Sequence, residues 1–121
     1  MIDLDKIKRI VDVEYQDILG AAGTDIYHGK IRAYILDGSI VDIWFSNKIP
    51  GRFSYHWERR HIDGKFYRHD NFPDPRWKRI PSFPKHFHNG YQNDVQESSV
   101  DDNPVLGVSQ FMSFVRESLK R

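Results

Sequence analysis

Three two-residue turn signals, Asp37-Gly38, Pro50-Gly51 and Asp63-Gly64, constrain this chain most, because each separates segments that alternate apolar and polar residues. Tyr27–Leu36 is β-branched-rich and reads as a strand. Ser39–Ser46 returns beside it across Asp37-Gly38. Arg52–Arg60 puts Phe53, Tyr55 and Trp57 on one face and Arg52, Ser54, His56 and Glu58 on the other. Lys65–His69 then runs back after Asp63-Gly64. Strands joined by connections this short must be antiparallel, so the pattern predicts a meander.

The two ends read as helices. Leu4, Ile7, Ile10 and Val11 fall at helical spacing after Asp3, a suitable N-cap. Val13–Leu19 extends that helix or begins a strand, and Gly20–Gly23 reads as the turn that ends it. Asn103-Pro104 supplies an N-cap and a first-turn proline, and Val105, Val108, Met112, Val115 and Leu119 follow as one apolar stripe. Between them, Pro73, Pro75, Pro81 and Pro84 make Asn71–Tyr91 a long ordered loop, or a loop with a short edge strand. Gln92–Asp102 is polar and acidic and reads as a flexible link. The expected fold is α+β: an antiparallel sheet of four to six strands packed by an N-terminal and a C-terminal helix. With 121 residues, one domain over 1–121 is expected. Cysteine is absent, which excludes disulfides and thiolate chemistry. No apolar run is long enough to span a bilayer, and the N-terminus lacks a signal peptide's apolar core, so a cytoplasmic protein with no membrane partner is expected.

Charge is unevenly spread. Arg52–His88 carries nine Lys or Arg against four acids, a net +5 inside a chain of net +1, and it holds five of the six histidines. Nine Phe, Tyr or Trp side chains lie in the same stretch. Cations and rings on one surface suit nucleic acid, since cations meet phosphates and rings stack on bases. The plainer alternative is that the rings face the core and the cations face water.

The densest chemistry lies in Phe83–Gly90. His86 and His88 are two residues apart, so an extended backbone points both imidazoles the same way. Two such imidazoles can act as general base and general acid near neutral pH. RNA cleavage needs that pair, with a cation for the developing charge, and Lys85 and Arg68 are available as phosphate-binding residues. The same spacing can hold a metal with Asp70 or His69 as third ligand, or the histidines can simply anchor the loop. In Tyr67–Asn71, Arg68 can clamp a phosphate, with Asp70 and Asn71 beside it, or form a surface ion pair with Asp70. Tyr55 and His56 are expected to complete the floor of the site, although a polar strand face alone would also account for His56. His28 and His61 stand apart, with no role. No P-loop, dinucleotide fingerprint or zinc-protease motif is present.

Taken in order, Gly29-Lys30-Ile31, Asp37-Gly38-Ser39, Tyr55-His56, Arg68 with Asp70-Asn71, and Phe83-Pro84 with His86 and His88 resemble the TumE-like toxin family over roughly residues 25–90. Two departures stand out: Phe72-Pro73-Asp74-Pro75 lacks the histidines often found there in the family, and Lys85 and Phe87 replace a histidine and a lysine. The resemblance implies a growth-inhibiting toxin neutralised by a helix-turn-helix antitoxin. Joined to the residues above, it leads to the expectation of a metal-independent endoribonuclease with RNA as partner and no cofactor. His86, His88, His56 and Tyr55 would be catalytic, and Arg68, Lys85, Asp70 and Asn71 would bind substrate. The alternative is a non-catalytic module that binds nucleic acid or protein, and a homodimer is left open.

Overall fold

The computed structural model describes residues 2–121. The first helix, α1, spans Leu4–Glu14, with the Asp3 carboxylate accepting from the Lys6 backbone N–H at 3.0 Å. Seven strands follow: β1 Leu19–Tyr27, β2 Lys30–Ile35, β3 Ile40–Phe45, β4 Phe53–Arg59, β5 Lys65–Asp70, β6 His86–Gly90 and β7 Val95–Glu97. A one-turn helix, α2 (Arg60–Asp63), joins β4 to β5, and α3 spans Pro104–Leu119. The strands form one sheet in sequence order, every neighbour antiparallel.

The α+β class and the meander therefore hold, while the expected four to six strands are corrected to seven. The extra strands come from three places where local composition misleads. Gly20–Gly23 is not a turn: it lies within β1, where the register shifts between Leu19 and Thr24 and Gly23 takes φ 63°. Tyr27–Leu36 is not one strand either. His28 and Gly29, at φ 50° and 76°, form a two-residue hairpin turn that pairs Tyr27 with Lys30. The stretch expected as a flexible link contains β7, and its Ser98 and Val100 are buried. As a result β6 is flanked on both sides and is not an edge strand.

Alternation decides the two faces. Ile31, Ala33, Ile35, Val41, Ile43, Phe53, Tyr55 and Trp57 point to one face, where Ile7 and Val11 of α1 and Val108, Phe111, Met112 and Val115 of α3 cover them. Gly107 allows α3 its close approach, because a Cβ there would lie 2.6 Å from the Asp101 carbonyl oxygen and 3.2 Å from the Tyr55 hydroxyl. The buried Trp57 indole donates to Ser39 Oγ at 2.7 Å, and Ser39 donates onward to Asp37 at 2.6 Å. The α1 and α3 residues that pack on the sheet all lie on that first face. The loop between β5 and β6 folds across part of the second face, with Phe72 stacked on Trp44 of β3 and Trp77 over His86 and His88, ring centroids 6.3 and 6.1 Å apart.

Candidate functional site

Strand register assembles the site. Residues directly opposite in an antiparallel sheet share a face. His56 pairs with Arg68, and Arg68 with His88, making one row across β4, β5 and β6. The next row is Ser54, Asp70 and His86. Both rows lie on the second face, where a cleft of about 400 Å³ is lined by Ser54, Arg68, Asp70, Phe72, Asp74, Trp77, His86, His88 and Gln92.

At the floor, the two imidazoles are held the same way. His86 Nδ1 lies 2.8 Å from the Pro84 carbonyl oxygen and His88 Nδ1 lies 3.0 Å from that of Gln92. A carbonyl only accepts, so Nδ1 carries the hydrogen in both rings. Each Nε2 then faces Asp70: His86 Nε2 is 3.3 Å from Oδ1 and His88 Nε2 is 3.8 Å from Oδ2. These side chains are 3%, 2% and 6% exposed for His86, His88 and Asp70. Burial and the nearby Arg68 guanidinium push His88 down to about 4, so the ring is neutral at physiological pH.

Arg68 is tied on three sides. Its Nε donates to Asp70 Oδ2 at 3.0 Å, Nη1 lies 3.4 Å from His56 Nδ1, and Nη2 donates to Gln92 Oε1 at 3.3 Å. Two of its five N–H groups remain for a ligand. The Asp70 Oδ1 atom also accepts from the Phe72 backbone N–H at 3.0 Å, which fixes the carboxylate. His56 stacks on Phe66, and its Nε2 lies 3.1 Å from Glu58 Oε1. Burial lowers its pKa, and Arg68 adds to the effect against the opposing pull of Glu58. Both ring nitrogens of His56 are thus engaged, one beside Arg68 and the other beside Glu58. Glu58 is itself held down to about 2, chiefly by its hydrogen bonds from Arg60.

Of the residues singled out from sequence, His56, Arg68, Asp70, His86 and His88 come together. Tyr55 does not: it faces the helices, 2% exposed, with its ring 6.0 Å from Phe111, and burial raises its pKa. Lys85 also turns away, donating to the Val100 carbonyl at 2.6 Å and to Asp102 at 3.0 Å. Asn71 bridges two strand ends, accepting from the Phe53 N–H at 3.0 Å and donating to the Gly51 carbonyl at 2.7 Å. His69, the other third-ligand option, lies on the core side, stacked on Phe87 with Nδ1 2.7 Å from Ser98 Oγ. Burial, with Lys85 adding to it, lowers His69 to about 3.

Sequence reasoning missed Ser54, Phe72, Asp74, Trp77 and Gln92 as cleft residues. Ser54 was legible by alternation with His56, whereas Trp77 and Gln92 arrive through loops whose path no periodicity reports. The basic surplus of Arg52–His88 is also more subdued than its count implies. Arg59, Arg60, Arg68, Arg76 and Lys85 all make ion pairs, whereas Lys78 and Arg79 beside Trp77 are exposed and make none among the described residues.

No helix among the described residues is long and apolar enough to cross a membrane. No curated protein and no solved structure matches the chain significantly. The family model for toxin TumE, however, matches residues 4–119, from the start of α1 to the end of α3. The chain belongs to the TumE toxin family, and is thus the toxin component of a toxin–antitoxin pair with a cognate antitoxin as partner.

Proposed function

We propose that this toxin is an endoribonuclease that holds RNA in the cleft over β4, β5 and β6. The observation that carries the reading is the convergence of two neighbouring imidazoles, a carboxylate and a guanidinium on the sheet face that α1 and α3 leave free and the β5–β6 loop partly covers. In RNA cleavage the 2′-oxygen attacks the adjacent phosphorus and the bond to the 5′-oxygen breaks. The 2′-proton must leave and the departing oxygen must gain one. Arg68 is placed to bind the phosphate through its two remaining N–H groups. Trp77 and Phe72 give the cleft wall an aromatic surface against which bases pack. Lys78 and Arg79 extend a positive edge for the backbone. The 2′-proton is taken up at the floor formed by Asp70, His86 and His88, and the same floor returns it to the departing 5′-oxygen. The cognate antitoxin in this reading is a helix-turn-helix protein.

The test is cleavage of labelled RNA by the purified, folded toxin, in chelator and with added divalent metal. Cleavage is expected, with loss in Arg68→Gln and in the double variant His86→Ala, His88→Ala. Activity in chelator would mean the imidazoles exchange protons unaided. Absence of cleavage under both conditions, or full activity in the double variant, refutes the proposal. Salt-sensitive RNA binding without cleavage would instead assign the cleft to a non-catalytic binding module.

A further inference from the structure

The floor of the cleft gathers three potential ligands. Both Nδ1 atoms lie against backbone carbonyls, so each ring presents its Nε2 to Asp70. An imidazole nitrogen and a carboxylate oxygen are both metal donors. The three side chains are 2–6% exposed, so a cation held between them is largely shielded from water.

The dimensions fit one. The ligating atoms of Asp70, His86 and His88 all lie within 4.8 Å of one another. Bonds of about 2.0–2.2 Å in tetrahedral geometry set ligand atoms about 3.4 Å apart. The Nε2-to-oxygen distances of 3.3 and 3.8 Å bracket that spacing. Two imidazoles and one carboxylate form a donor set that suits zinc and its first-row neighbours better than calcium or magnesium. The surroundings match too. Each imidazole is oriented by its Nδ1–H bond to a carbonyl, and the carboxylate by Arg68 and the Phe72 N–H, as outer partners of a metal site are. All three residues line the cleft.

From this geometry we infer that Asp70, His86 and His88 bind a divalent transition-metal ion of the zinc class. The inference departs from the metal-free expectation and rests on the ribonuclease reading only for its catalytic meaning; with the ion bound the three lone pairs are engaged, so the floor then holds the phosphate instead of taking up the 2′-proton. The ion and Arg68 outweigh the single Asp70 charge, so the occupied floor is an anion site that takes a phosphoryl oxygen. There the ion supplies Lewis-acid polarisation.

Metal binding is read without RNA, on tag-free protein stripped with chelator. Titration with zinc is expected to show one ion per chain, with a Kd of about 10 µM or tighter. Cobalt is expected to quench Trp77 emission, since that ring lies 6.1 Å from His88, and zinc to reverse the quenching. Loss of His88 in His88→Ala, or of charge in Asp70→Asn, should weaken binding by at least about tenfold. His61→Ala, at an exposed histidine outside the cleft, should leave it unchanged. No uptake by folded wild-type protein at about 100 µM zinc overturns the inference. Uptake that survives both His88→Ala and Asp70→Asn overturns it as well. If those variants unfold, wild type and Trp77→Phe decide: cobalt quenching of equal size in both places the metal elsewhere. Zinc binding without RNA cleavage would sink the ribonuclease reading alone. Cleavage by protein that binds no zinc would sink the metal alone.

Discussion

Substitution Asp70→Asn tests whether the site's central charge pair is as buried as its geometry shows. Asn keeps an oxygen for the Phe72 N–H but removes the charge facing Arg68. Asp70 is 6% exposed and Arg68 24%, so the substitution strands a largely buried guanidinium. Breaking such a pair costs about 3–5 kcal/mol, and the exposed quarter of Arg68 sets the expectation near the lower end, about 3 kcal/mol. For a chain of this size that corresponds to a fall in Tm of roughly 12 °C. Removing both charges, with Arg68→Met added, should cost about 2 kcal/mol less than the sum of the single variants, because the stranded ion is gone. Urea unfolding in chelator measures all four proteins without metal linkage. An Asp70→Asn protein within about 0.5 kcal/mol of wild type, or strict additivity in the cycle, would refute the reasoning.

Further expectations concern the scaffold. Met112, 0% exposed beneath the sheet, should cost about 2–5 kcal/mol as Met112→Ala in the same urea assay, and a change under 1 kcal/mol would contradict the core described here. Gly107→Ala should destabilise by about 1–3 kcal/mol, because its methyl meets the Asp101 carbonyl; a stabilised variant would contradict that close approach. Acid stability carries a sign: Glu58 is lowered from 4.5 to about 2, so its contribution is complete above 4.5 and is lost as pH falls toward 2. Glu58→Gln should accordingly flatten the fall in urea midpoint over that window. An unchanged slope would show that its pairing with Arg60 does not persist in solution.

The sequence made part of this legible through period-two alternation. Phe53, Tyr55 and Trp57 against Ser54, His56 and Glu58 identified core and open faces of β4, and the turns at Asp37-Gly38 and Pro50-Gly51 placed β3 between β2 and β4. The same rule, applied without exception, would have removed Tyr55 and Lys85 from the site. Tyr55 adjoins His56 and Lys85 adjoins His86, and adjacent residues of an extended chain point to opposite faces. What the sequence hid was register. Asp70 meets His86 across a loop of fifteen residues, 71–85, and neither loop length nor composition fixes which residue of β6 returns opposite it. The edges were hidden for different reasons. The first half of β1 is rich in small residues that resemble a turn, and β7 is too short and polar to show a pattern beyond its neighbours.

The central claim is that the Nε2 atoms of His86 and His88 face the Asp70 carboxylate while their Nδ1–H groups are held by backbone carbonyls. Nitrogen-detected NMR of the metal-free protein at neutral pH reads this directly, ring by ring. The account predicts slowly exchanging Nδ1–H groups in both rings, a neutral His88 with bare Nε2, and movement of both Nε2 signals when zinc is added. A His88 ring protonated at Nε2, or two imidazoles averaging freely with solvent, would contradict it.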